Sequence, residues 1–276
     1  MVPYIFGGIF VTSFFILYGA LLYLNHTKID SIKEFYKKRW LSLFPTYYLA
    51  YILIYIESIV TSEVPFDLHH PIRYYIYTLL GMDGYLMGKT WPNNYYILEE
   101  WFLGAIIIVY ILYPIIVKLL NKKEKLTTLI IVVLYLLTLN YKMLNQDSFR
   151  NIFSFIFSFY IGMLLTKNKE IYDVKEIYIT SIILLILSSI LPISVDTNIK
   201  NHLDGFLLYL TLYGIGNKMM KYNSVKAPIN IISKVSYEIF LLQHVIVYTM
   251  LKLANPASTI RSLSILFFTI IRIISE

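Results

Sequence analysis

The chain has 276 residues, of which 58% are hydrophobic, 17% aromatic and only 15% charged, with a mean hydropathy of +0.64. Soluble domains carry about a quarter charged residues, so this chain has too little polar surface for a water-soluble fold of its length. Zero cysteines exclude a disulfide framework, a thiolate metal site and a cysteine nucleophile, and the formal charge of +7 leaves nucleic acid or a membrane surface as its cause.

Crossing a bilayer core takes about 20 largely apolar residues. Nine such runs follow in chain order, near 3–24, 40–60, 98–118, 126–144, 151–166, 177–195, 203–219, 232–251 and 260–274. The first has no basic leader region, since the first lysine is Lys28, and is too long for a signal-peptide core, so it is expected as a retained helix. The basic residues then alternate from one connection to the next. On one side fall Lys28, Lys33, Lys37, Lys38 and Arg39; Lys118, Lys122, Lys123 and Lys125; Lys167, Lys169 and Lys175; Lys218, Lys221, Lys226 and Lys234; and Arg272. The other side holds Arg73, Lys89, Lys142, Arg150, Lys200, Lys252 and Arg261, so 17 of the 24 cations share one side. Cytoplasmic connections are the lysine- and arginine-rich ones, which places the N-terminus outside and the C-terminus inside. The net charge is thus a topology signal and nucleic-acid binding drops out. The expectation is an all-α, polytopic transmembrane helix bundle of nine spans, a single membrane domain over 1–276, multi-pass in a bacterial plasma membrane and in contact with its lipids.

Residues 61–97 form one long outer connection with Pro65, Pro71 and Pro92, and its aromatic stretch Ile72–Leu86 is either an interfacial helix or part of a lid. There is no internal repeat, which weakens a transporter built from inverted repeats.

Ionisable groups inside a bilayer are functional candidates by default, and here they are Glu57, Glu99, Glu100, Glu238 and His244. His244 shares a helical face with Ser233, Tyr237 and Phe240; it is either a general base for a hydroxyl or a packing histidine. Glu99 and Glu100 open the third run, where the helix macrodipole favours carboxylates, and one of them can face the interior to bind or deprotonate an acceptor. Lys37, Lys38 and Arg39 end an inner connection, as anchors or as a clamp for the phosphates of a cytosolic cofactor, with His26 and Lys28 nearby in either role. His69-His70 and His202-x-Asp204 fall in outer connections with too few partners for a metal site and are expected as loop residues. No G-x-S-x-G, Walker A or G-x-G-x-x-G pattern is present.

Several of these segments together resemble the acyltransferase family 3 membrane proteins. Val11-Thr-Ser-Phe-Phe-Ile-Leu-Tyr-Gly19-Ala-Leu-Leu resembles that family's Phe-Phe-x-x-Ser-Gly-x-Leu-Leu helix, with Tyr18 in place of the serine. Phe35-Tyr-Lys-Lys-Arg39-Trp-Leu-Ser-Leu-Phe-Pro45 is similar to its Phe-x-x-(Lys/Arg)-Arg-x-x-x-(Ile/Leu)-x-Pro segment. Glu100-Trp101-Phe-Leu-Gly104, followed by Tyr110-x-x-x-Pro114, resembles its Glu-Trp-Phe-Leu helix. Phe159-Tyr-Ile-Gly162-Met resembles a glycine-containing helix, and Ser236-Tyr-Glu-Ile-Phe240-Leu-x-x-His244 resembles its Ser-Tyr-x-x-(Phe/Tyr)-Leu-x-His helix. Ile274-Ser-Glu276 is similar to the close of its last helix.

The resemblance implies transfer of an acyl group, usually acetyl from cytosolic acetyl-CoA, to a hydroxyl of a surface glycan or lipid-linked sugar, without a metal. On it, His244 and Glu100 are the catalytic candidates, Arg39 and Lys38 bind the acyl donor, and Trp101 and Tyr237 line the acceptor site. The family's Arg-x10-His motif has no counterpart, because eleven residues after Arg39, Arg73 and Arg150 stand Ala50, Gly84 and Ile161. The expectation is a chain that begins at the family's second helix. Two other classes stay open: a carrier or flippase for glycan intermediates, and a catalytically inactive partner subunit, which the missing base would suit.

Overall fold

In a computed structural model, residues 2–60, 75–86, 101–141, 148–172, 174–191 and 194–242 are described, and all regular structure among them is helical. The helices are α1 (Val2–Asn25), α2 (Ile32–Val60), α3 (Tyr75–Leu79), α4 (Asp83–Leu86), α5 (Trp101–Asn140), α6 (Ile152–Lys167), α7 (Lys169–Tyr172), α8 (Lys175–Ile190), α9 (Thr197–Met219) and α10 (Asn223–Lys234), with a short helical stretch over 236–242 after α10. Among the described residues two stretches, Gly7–Asn25 and Trp101–Asn140, are long and apolar enough to cross a membrane, and α6 is a shorter apolar helix. The chain divides into two compact units, residues 1–36 with 108–223, and 37–107 with 224–276.

Unit 1 is built on small residues. A Cβ on Gly19 would overlap Phe159 O of α6, and one on Gly162 would overlap Ile16 O of α1, so the α1 and α6 backbones touch. Gly205 of α9 sits in the same way against Thr12 and Ile9 of α1. Ile16 and Ala20 then pack with Tyr209 and Leu210 in one buried cluster. Small residues that let helix backbones approach are the usual device where lipid supplies no hydrophobic drive between helices. The opposite face of α1 turns Phe10, Leu17, Leu21 and Leu24 outward, and α8 does the same with Ile179, Ile183, Ile186 and Ile190. Exposed apolar stripes of this kind mark a surface made for something other than water.

Helix α5 is 40 residues long but breaks at Lys123, whose φ/ψ of −143°, 57° is not helical. Contacts show that the chain reverses there. Before the break, Tyr18 meets Tyr110 and Tyr23 OH donates to Asn121 Oδ1 at 3.0 Å, so this half runs parallel to α1. After it, Thr128 meets Tyr160, Tyr135 stacks on Phe157 and Thr138 meets Ser154, so this half runs antiparallel to α6. The charge run Lys122-Lys-Glu-Lys125 is what separates the two apolar runs expected from the sequence. Asn151 caps α6 by accepting from Phe153 N at 3.1 Å, and Asp196 caps α9 by accepting from Asn198 N at 2.8 Å.

These directions gather the cations. Lys28 follows α1, Lys122, Lys123 and Lys125 sit at the α5 reversal, Lys167 and Lys169 at the end of α6, Lys175 at the start of α8, and Lys218 and Lys221 at the end of α9. All are exposed at one end of unit 1, with Arg150 and Lys200 at the other. The alternation of charge along the sequence is therefore a separation in space within this unit.

In unit 2, α2 carries an aromatic face. Tyr47 OH donates to Thr78 O and Tyr48 OH to Leu79 O, both at 2.7 Å, and Tyr51 lies 6.5 Å from Tyr75. The Tyr48 hydroxyl reaches a carbonyl at the end of α3, where a one-turn helix leaves its last acceptors short of partners, and that of Tyr47 is a second donor to Thr78 O. Of the aromatic stretch Ile72–Leu86, residues 75–86 are described and form two short helices: Gly81, at φ +64°, ends α3 in a Schellman turn with Met82 N on Tyr77 O and Gly81 N on Thr78 O.

Candidate functional site

Within unit 2 the structure brings together three of the segments singled out from the sequence. Arg39 lies half-buried on α2, with Lys37 and Lys38 exposed beside it. One helical turn on is Leu43, whose carbonyl accepts from Tyr237 OH at 3.1 Å. Three residues after Tyr237, Phe240 meets Phe102 edge to face at 5.3 Å, and Phe102 lies 6.0 Å from Trp101, the first residue of α5. Arg39, Tyr237 and Trp101 thus stand on three helices joined by one hydrogen bond and one ring contact. Below them Gly104 lets Tyr85 approach the start of α5, since a Cβ there would collide with Tyr85 Cβ. Pro45, four residues past Leu41, withholds the N–H that would close that turn of α2.

Glu238, one of the ionisable candidates in the apolar runs, is half-buried, and its buried Oε2 has no hydrogen-bond partner. A buried oxygen left without a donor is uncommon, and the sequence had already singled out this acid, next to Tyr237 in an apolar run. Glu100 and His244 lie outside the described residues, as do Glu99, His69 and His70. Helix α10 ends at Lys234 and helical structure resumes at 236, so Ser233 and Tyr237 do not share one continuous helix.

In unit 1, His26 gains partners and one expectation changes. His26 packs its ring against Phe35 at 5.6 Å, and its carbonyl accepts from Tyr113 OH at 2.7 Å, so it serves to fasten the loop after α1. His202 and Asp204 are not loop residues. Both are buried on α9, which begins at Thr197 rather than near 203. His202 Nδ1 lies 2.8 Å from Asn198 O and Nε2 3.2 Å from Ser154 O, while Asp204 accepts from Ser188 Oγ at 2.6 Å. The two side chains face different helices, and each serves to tie α9 to a neighbour. Polar groups buried this way are satisfied by such contacts.

An acyltransferase-domain family model, Acyl_transf_3, matches residues 1–275 of the chain. No curated protein and no solved structure matches it.

Proposed function

Because this chain belongs to the Acyl_transf_3 family of acyltransferase-domain proteins, we propose that it is a membrane-bound O-acyltransferase that moves an acetyl group from cytosolic acetyl-CoA to a hydroxyl of a cell-surface polysaccharide or lipid-linked sugar. The observation that carries this reading is the family match along the whole chain; the convergence of Arg39, Tyr237 and Trp101 in unit 2 supports it. The lysine-rich end of unit 1 faces the cytosol, where the donor is made.

Arg39 suits a phosphate-bearing donor. Its guanidinium offers a planar fork for phosphate oxygens, and half-burial strengthens that attraction over an exposed lysine's. Lys38, on the exposed side of the same turn, adds a mobile second charge. At the other end of the reaction, His244 takes the proton of the acceptor hydroxyl, whose oxygen attacks the thioester carbonyl carbon. The carbon–sulfur bond breaks, the imidazolium returns the proton to the departing thiolate, and an ester and free CoA result. Glu100 orients the imidazole or the hydroxyl, and Trp101 and Tyr237 offer the aromatic and polar edges on which a sugar ring rests. Holding both substrates in a site closed to water replaces a bimolecular encounter by a positioned one.

Membranes carrying the chain, given acetyl-CoA labelled in the acetyl group and a hydroxyl-bearing glycan, are expected to yield base-labile label on the glycan. His244→Ala and Glu100→Gln should bring it to background. No ester-linked label above membranes lacking the chain would sink the assignment.

A further inference from the structure

Among the described residues of unit 2, those of helix α10 stand clear of the core. Ile229, Ile231 and Ile232 are 43%, 68% and 58% exposed, and none of the helix's residues is buried. At 100° per residue, Val225, Pro228, Ile229 and Ile232 form one apolar face, while Lys226, Asn230 and Lys234 lie on the other side, with Ser233 and Ile231 at its two edges. The chain reaches α10 by a tight turn after α9, with Met220 N on Gly216 O and Tyr222 N on Met219 O, so its first residue, Asn223, is tethered close behind Lys218 and Lys221. From 205 to 237 the sequence holds four lysines and no acidic residue.

We propose that α10 lies in the plane of the membrane surface, with its isoleucine face among the acyl chains and its lysines on the headgroups of anionic phospholipids. A helix too polar overall to enter the bilayer core, with strongly segregated faces and a cationic polar side, is the form that interfacial helices take. The helix's own charges, Lys226 and Lys234 with no acid among its residues, decide the headgroup: each contributes favourably only near an anionic surface. A second copy of the chain on the isoleucine face would bring like charges together. The inference rests on the membrane-embedded reading of α1 and its neighbours.

The absence of cysteine makes the test direct. Three single-cysteine variants of the full chain, Ile229→Cys, Asn230→Cys and Leu17→Cys, are labelled with an environment-sensitive fluorophore and reconstituted into vesicles containing brominated phosphatidylcholine or brominated phosphatidylglycerol. The label on Ile229 should be blue-shifted and quenched several-fold more than that on Asn230, and more by the anionic lipid. Lys226→Gln with Lys234→Gln should lower that anionic preference about tenfold or more. Quenching at Leu17, which points outward from α1, with none at Ile229 would overturn the proposal alone. Absence of quenching at both would overturn the membrane reading and the proposal with it. Equal quenching by the two lipids would overturn the anionic assignment. An Ile229 signal that grows with protein density, without lipid quenching, would assign the face to a second copy and overturn the proposal.

Discussion

In unit 1 helix backbones meet, Gly19 against Phe159 O and Gly162 against Ile16 O. In unit 2 α2 meets α3 through Tyr47, Tyr48 and Tyr51, and the 236–242 stretch meets its neighbours through Tyr237 and Phe240. Backbone contact leaves no side chain to move and no second way to pack. Contact through rings and hydroxyls can be remade by rotating a side chain, at a cost of about 1 kcal/mol per hydrogen bond. Unit 1 is held by backbone contact, whereas unit 2 is held by side chains and carries a half-buried arginine and a carboxylate oxygen without a partner; under the proposed function, unit 2 is the one that receives substrates.

The contrast breaks first, and hardest, at Gly162. Valine there needs space already filled by Ile16 O and Ala20 N, both backbone atoms that cannot step aside. Overpacking costs about 1–3 kcal/mol even where side chains can yield, so Gly162→Val should exceed that range. The expected result is loss of monodisperse protein on size exclusion in detergent. A variant that elutes and melts like the parent would mean that unit 1 is not held by this contact.

Much of unit 1 was legible in the sequence because its signals are local. Lys122-Lys-Glu-Lys125 between two apolar runs announces a reversal, and the alternation of lysines announces which helix ends lie together. His202 and Asp204 were not legible. The run Thr197-Asn-Ile-Lys-Asn-His-Leu-Asp204 is polar enough to read as a loop, yet its polar groups recur at helical spacing and find partners on α6 and α8 that are distant in sequence. Helix α10 was missed for a related reason. Averaged over a span-length window its lysines and asparagines mask Val225, Ile229 and Ile232, which only a 3.6-residue period brings onto one face. In unit 2, the grouping of Arg39, Trp101 and Tyr237 came from a family resemblance; nothing in spacing joins residues so far apart.

Arg39 sharpens the comparison from the other side. Arg39→Gln keeps a polar side chain on α2 and removes the charge, so thermal stability should change little. The donor KM should rise roughly 10- to 100-fold, the range expected for losing a charge-assisted hydrogen bond. Arg39→Lys should recover only part of this, because a point charge does not replace the fork. Equal KM values for parent and Arg39→Gln would remove Arg39 from the donor site.

Tyr237→Phe is a milder probe of the same unit. It deletes the hydroxyl that reaches Leu43 O and leaves the ring against Phe240. The stability cost should be about 1 kcal/mol, seen as a small fall in melting temperature. Acetyl transfer should drop a few-fold through a looser acceptor site. A tenfold or greater loss of kcat with unchanged melting would instead give Tyr237 a direct part in the chemistry.

The smallest effect belongs to the surface of unit 1. Lys167, the last residue of α6 and beyond its apolar run, donates to Glu124 beside the α5 reversal, with both side chains partly exposed. That hydrogen bond is the main cause holding the Lys167 ammonium above its ordinary pKa, with burial opposing it. A lysine whose pKa is raised by folding stabilises fully below its unfolded value, about 10.4, and loses that contribution as pH rises through the higher folded value. Exposed pairs are worth about 0.2–1 kcal/mol, so the melting temperatures of the parent and Lys167→Gln should differ slightly at pH 8 and converge above pH 11. A group that does not titrate supplies the control: if Asn151→Ala, which removes the α6 cap, lost its stability cost over the same interval, the convergence would reflect general alkaline loosening rather than this ion pair.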